Sequence, residues 1–273
     1  MYHNPFRGLP AGLVALTLAA CQQQADTPQV QQSETPPVTT PCEIVMGFDP
    51  WEPYHFTAAD GTVRGIDVEI VSALAEARGC ALSFRTGQWL ELLGALRDGE
   101  VTVLAGATPV AERERYAWFS APYRNEHFEL FIPAGREVKA ADFRDLLDSG
   151  FRLGLTDGYI YGEPLESLQA EPKYSAQWIY AAVAESNFTA LNEGQIDGFL
   201  EDPYVAAAII RRHGWQGQIT RSGLTIGERP VNLMFSRKTT SAEEIEADNE
   251  ILARLAENGD LQKIFSRYLD VGQ

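Results

Sequence analysis

The sequence predicts an α/β protein of two lobes facing each other across a cleft, each lobe a mainly parallel sheet flanked by helices. Three observations lead there. Strand-like and helix-like segments alternate from Glu43 to Ala107, which argues for a parallel sheet with helices on its faces. The alternation starts again at His127. The 273 residues are 45% hydrophobic, enough for a real core in one or two compact units.

The chain opens with a targeting segment. Arg7 gives a short positive region, and Leu9–Ala20 is an apolar run too short to span a bilayer stably. It closes on LAAC, Leu18 to Cys21, which resembles the lipobox of bacterial lipoproteins. That resemblance implies removal of residues 1–20 and a lipid on Cys21; the other reading is an ordinary secretory peptide with an incidental cysteine. A lipid anchor leaves no transmembrane helix in the mature chain. Residues 21–41, rich in Gln, Thr and Pro, read as a disordered tether, so the folded part starts at Cys42.

Glu43–Phe48 reads as the first strand, followed by an Asp60-Gly61 turn. Ile66, Ile70, Ala73, Leu74 and Ala77 share one helical face, and Gly79 stops that helix. Residues 81–86 give a second strand, 89–99 a helix ended by Gly99, and 101–107 a third strand. Cys42 and Cys80 each precede a strand. If those strands are parallel neighbours, both cysteines lie at one sheet edge and a disulfide follows in an oxidising compartment; two free buried thiols are the alternative. From His127 the pattern gives a strand, a helix at 141–147 and a strand ending at Gly158. Pro164 then suits the first turn of a helix, and the next helix takes Ser186 as candidate cap and Gly194 as terminator. A strand at 196–202, a helix opened by Pro203, an apolar segment from Val231 and two closing helices complete the chain.

The net charge of −16 argues against a nucleic-acid partner. No GxSxG, HExxH or Walker motif is present, and His55, His127 and His213 lack ligand spacing, so they read as surface or hinge residues and no cofactor or metal is expected. Ligands of open α/β sheets bind beyond the carboxyl ends of strands. The first strand is followed there by Asp49 and Trp51 in a proline-stiffened loop, where the indole offers a platform for a flat or cationic ligand. The third is followed by Gly106, Thr108 and the stretch AERER. A guanidinium at that strand end suits a bidentate anion, and Arg113 and Arg115 point different ways on one helical turn. Glu201 and Asp202 end a later strand; Asp202 is either free for an ammonium group or a helix cap.

Four motifs in order, GTVRGIDVEIVSALAEARG, ALRDGEVTVLAGATPVAERERYAWFSAPY, LNEGQIDGFLEDPYVAA and LAENGDLQKIFSRYL, resemble the extracellular solute-binding proteins of family 3, type II periplasmic receptors for polar amino acids in ABC transport. The resemblance runs from about Glu43 to Leu269. It implies that Arg113, not Arg115, clamps the ligand carboxylate, beside Thr108 and the Gly106 backbone. It puts the acid for the ligand ammonium on Asp202, sandwiching aromatics on Trp51 and Trp89, and a contact for cationic side chains on Asp49. Val110 stands where the family usually has threonine. The family's second-lobe turn of glycine and two hydroxyl residues reads Gly158, Tyr159, Ile160 here, and Tyr159 and Tyr161 shrink or reshape the pocket.

The expected architecture is therefore the two-lobed type II periplasmic-binding-protein fold. Lobe 1 takes residues 42–126 and 230–273, lobe 2 takes 127–229, and the hinge crosses near His127–Phe131 and Glu228–Asn232. The expected protein is a monomeric, lipid-anchored periplasmic receptor for a small amino acid or similar zwitterion, partnered by an inner-membrane ABC permease. Two rival readings are a cyclohexadienyl dehydratase-like enzyme using Glu201 or Asp202, and a non-transport sensor or oxidoreductase partner.

Overall fold

The computed structural model describes residues 42–269; the expectations for Cys21, the cleaved segment and the tether fall outside them. The chain forms β1 (Glu43–Phe48), a short hairpin β2 (Phe56–Thr57) and β3 (Val63–Arg64), α1 (Ile66–Arg78), β4 (Ala81–Thr86), α2 (Trp89–Asp98), β5 (Val103–Ala107), α3 (Ala111–Glu114) and β6 (Ala117–Phe119). It continues through β7 (Arg124–Pro133), α4 (Phe143–Asp148), β8 (Leu153–Thr156), α5 (Leu165–Gln169), β9 (Trp178–Ala181), α6 (Ala184–Asn192), β10 (Gly198–Glu201), α7 (Pro203–His213), β11 (Ile219–Ser236), α8 (Ala242–Glu257) and α9 (Asp260–Leu269).

The principal strands follow the order β4-β1-β5-β11-β7-β10-β8-β9, with β6 also pairing β11. β1 lies parallel to β4 and β5, and β8 lies parallel to β9 and β10. The two parallel halves are joined by β7 and β11, which run antiparallel to each other from Arg124↔Val231 to Pro133↔Ile219. β11 is long enough to serve both halves: its Asn232–Ser236 end pairs β5 and β6, and its Ile219–Val231 end pairs β7.

Local chemistry explains the helices. α1 buries Ile66, Ile70, Val71 and Leu74 against the first half, where Ile245, Leu252 and Ile264 of α8 and α9 join the same core. Asp67 and Glu69 in its first turn and Arg78 in its last suit the helix dipole. Ser241 and Glu244 form a capping box that starts α8. In the second half, Phe131, Phe188 and Phe199 stack on one sheet face, while Phe128, Leu130, Phe143, Leu153 and Leu155 fill the other.

The Cys42–Cys80 disulfide is formed, with Cα atoms 4.5 Å apart, because β1 and β4 are parallel neighbours in the register Glu43↔Ala81. Some expectations differ. α6 begins after Val183, so Ser186 lies inside the helix and caps nothing. β6 and β9 are strands that the periodicity did not reveal, and β11 begins twelve residues before the apolar run at Val231. Its first part is mostly exposed, with Ile219 and Ile226 its buried positions, and it carries Gly223, Gly227 and Pro230, a composition that hides a strand in sequence. His55 is buried rather than at the surface.

Candidate functional site

The carboxyl ends of the strands from both halves converge on one small cavity. β1 delivers Asp49 and Trp51, β5 delivers Gly106 and Thr108, the start of α2 delivers Trp89, and α3 delivers Arg113. From the other side come Glu126 and Phe128 of β7 and Tyr159 and Ile160 after β8. The free space is about 30 Å³, room for roughly two waters.

Arg113 is buried and Arg115 is exposed, so the single turn of α3 sends only one guanidinium inward. Arg113 Nη1 donates to the Thr108 carbonyl at 3.2 Å and Nη2 to the Gly158 carbonyl at 2.7 Å. The guanidinium lies 5.6 Å from the Trp89 ring centroid, and Trp89 Nε1 donates to the same Gly158 carbonyl at 3.2 Å. Backbone conformation is what calls for glycine at position 158. Its φ is +75°, and a Cβ there would sit 2.6 Å from Leu90 and 3.0 Å from Trp89 across the cleft. Gly106 is similar: φ is +66°, and a Cβ would lie 2.9 Å from Arg124 Nη2.

Behind the cavity wall runs a buried polar network. Asp49 accepts from one side of the His55 ring and Asp67 from the other, both at 3.2 Å. Asp67 also accepts from Tyr123 at 2.7 Å, and Tyr123 in turn accepts from the Gly106 N–H at 3.0 Å. Burial pulls the His55 pKa down, but the two carboxylates outweigh it and raise it to about 9, so an imidazolium holds both acids. The network thus fixes two cavity positions, Asp49 and Gly106, from the rear.

Arg124 lies beside this network, 4.0 Å over the Tyr54 ring and 5.3 Å from the Trp51 centroid. Its nearest carboxylates, Glu126 at 3.6 Å and Asp67 at 3.9 Å, are beyond hydrogen-bond distance, and none of its three nitrogens has a partner among the described residues. Burial raises Glu126 to about 7, with Arg124 opposing. Burial likewise raises Glu201 to about 8, although Asp202 N–H and Trp51 Nε1 both donate to its Oε1.

Of the residues expected at the ligand, Asp49, Trp51, Trp89, Gly106, Thr108, Arg113 and Tyr159 line the cavity, and Gly158 touches two of them, Arg113 and Trp89, through its carbonyl. Asp202 does not line it. Its Oδ1 accepts from Tyr204 N at 2.8 Å and Val205 N at 3.1 Å, capping α7, and its Oδ2 accepts from Tyr54 at 3.1 Å. Tyr161 also stays behind the wall, its hydroxyl accepting from Thr156 N–H at 2.8 Å. The sequence reading missed Glu126, Phe128, Arg124 and His55. The charged pair just after the SAPY stretch was the available signal for Arg124 and Glu126. Among the described residues no group of acidic, His or Cys side chains is placed to hold a metal, and no helix is long and apolar enough to cross a membrane.

Two parallel-sheet halves joined by paired crossing strands, with a charged and aromatic cavity between strand ends, define a two-lobed solute-binding protein. The chain belongs to the bacterial extracellular solute-binding proteins, family 3, whose sequence model matches residues 44–271. It is 23% identical over 261 residues to the probable histidine-binding protein of Neisseria gonorrhoeae, covering 93% of this chain and 91% of that one. Its fold is similar to the arginine-, lysine-, histidine-binding protein ArtJ of Geobacillus stearothermophilus (TM-score 0.70, 20% identity, 85% of this chain and 96% of that one). A histidine kinase sensor domain similar to periplasmic binding proteins also shares it (TM-score 0.73, 24% identity, 84% and 96%).

Proposed function

We propose that this protein captures a small zwitterion of the amino-acid class outside the cytoplasmic membrane and presents it to an ABC permease. The observation that carries the reading is the buried Arg113 guanidinium at the wall of a cavity whose other charged members, Asp49 and Glu126, are acidic. A carboxylate at Arg113 gains a charge-assisted pair in a low-dielectric site, and an ammonium group finds the carboxylates opposite. Asp202, whose oxygens are already committed to α7 and Tyr54, then holds the start of α7 in place, and Glu126 takes the ammonium role with Asp49 beside it as part of the acidic wall.

In this reading residues 42–126 and 230–273 form lobe 1 and residues 127–229 form lobe 2. The lobes part about the β7 and β11 crossings to admit ligand and close because the ligand bridges them. A lipid on Cys21 and the tether of residues 21–41 keep a monomeric receptor in the cell envelope near its permease. A thermal-shift screen over amino acids, small carboxylates and amines tests the reading. A zwitterion should raise Tm by mass action, whereas carboxylates or amines alone should not match it. No Tm rise with any amino acid at millimolar concentration contradicts it.

A further inference from the structure

Tyr159 lines the cavity beside both tryptophans. It comes from the second half, immediately after Gly158, and its ring enters between the two indoles. The centroid separations are 6.1 Å to Trp51 and 6.4 Å to Trp89, edge-on to both at 82° and 83°. At its far end the hydroxyl approaches Asp49 Oδ2 at 3.5 Å. The ring is backed by Phe128 at 6.4 Å and Tyr161 at 6.3 Å, and the Tyr159 N–H is fixed by a 3.2 Å bond to the Thr156 carbonyl. Tyr159 therefore packs against core residues of both halves. The space left over among these residues and Arg113 is about 30 Å³.

We propose that Tyr159 is a specificity-determining residue that occupies the side-chain compartment of the cleft, so that the protein closes most readily on zwitterions with small side chains. This rests on the zwitterion reading above and narrows its substrate class. The carboxylate and ammonium of a small amino acid meet Arg113 and the acidic wall. A longer side chain must expel the phenol from between Trp51 and Trp89 and break its contact with Asp49. That displacement exposes a packed aromatic ring and costs binding energy in every complex with a long ligand. Asp49 then serves the protein's own tyrosine rather than a cationic ligand tail. The supporting shell is arranged for this role: Tyr161, held by Thr156, buttresses the ring from behind instead of facing the cavity.

The test is a calorimetric size series of glycine, alanine, serine, glutamine, histidine and arginine on the full folded protein and on Tyr159→Ala. For the wild type, affinity should fall roughly tenfold or more between the smallest and largest members, the scale on which apolar pockets discriminate size. Tyr159→Ala should remove or invert that order, and Tyr159→Phe, which keeps the ring, should preserve it. Tyr159→Leu carries the same expectation as Tyr159→Ala if a melting curve shows the alanine variant unfolded. Wild-type binding of arginine as tight as that of alanine, or a size order unchanged in Tyr159→Ala and Tyr159→Leu, overturns the assignment while leaving the zwitterion reading intact. Binding of no amino acid by either the wild type or the variants overturns the zwitterion reading, and this assignment with it.

Discussion

Replacing His55 with glutamine removes the cation that two buried carboxylates share. Both ring nitrogens lie 3.2 Å from an acid, Asp49 on one side and Asp67 on the other. At an effective dielectric of about 20, each contact corresponds to roughly 5 kcal/mol of attraction before desolvation. Burial of the imidazolium offsets much of that, and breaking a buried ionic cluster by removing one member costs about 3–5 kcal/mol. For a folded part of this size that is a fall in Tm of roughly 6–20 °C. The cost depends on pH in a definite direction. The folded-state pKa is raised from 6.5 to about 9, so the stabilisation is fully present below 6.5 and is lost as pH rises through 9. Urea unfolding of wild type and His55→Gln, followed by tryptophan fluorescence at about pH 6 and about pH 10, reads both effects. A difference below about 1 kcal/mol at the lower pH, or an equal difference at both, refutes the shared-cation argument.

Further outcomes follow from the buried acids and the disulfide. Burial raises Glu126 from 4.5 to about 7 and Glu201 from 4.5 to about 8, so between those limits the folded chain holds protons that the unfolded chain releases. Stability should therefore fall as pH rises from about 5 to about 9, in the same direction as the His55 contribution, and a double Glu126→Gln, Glu201→Gln variant should flatten the slope. A Tm that is flat or rising over that range contradicts the assignment. Cys42→Ser should lower stability by about 4 kcal/mol on the loop-entropy scale for the 38-residue separation, read from denaturant unfolding with a steeper slope because the unlinked unfolded chain exposes more surface. A change below about 1 kcal/mol means that the Cys42–Cys80 loop is already constrained in the unfolded chain.

Periodicity carried the helices well, since α1, α2, α7 and α8 each show an apolar face and a glycine or polar stop close to their ends. It failed at β6 and β9, which are short, and at the first part of β11, which is mostly exposed and rich in glycine and polar side chains. The cleft was legible to the extent that strand ends carry it. Asp49 and Trp51 follow β1, Gly106 lies at the end of β5 with Thr108 just past it, and Arg113 sits one turn beyond. The rest depends on tertiary contact between distant segments. Nothing in the spacing of Asp49, His55 and Asp67 says that one ring bridges both acids. Nothing near Asp202 tells a cap from a ligand contact; the neighbouring Pro203 and the amides of α7 decide it once the helix forms. Glu126 enters the cavity because β7 crosses between the halves, a path fixed by its pairing with β11.

The most direct measurement is calorimetric titration of Arg113→Ala with whichever zwitterion the wild type binds. The account predicts a loss of at least roughly 30-fold in affinity, the lower end of the 2–5 kcal/mol range for unpairing a buried charge, from a protein that still folds. Affinity equal to the wild type's would show that the carboxylate is held elsewhere and would contradict the account.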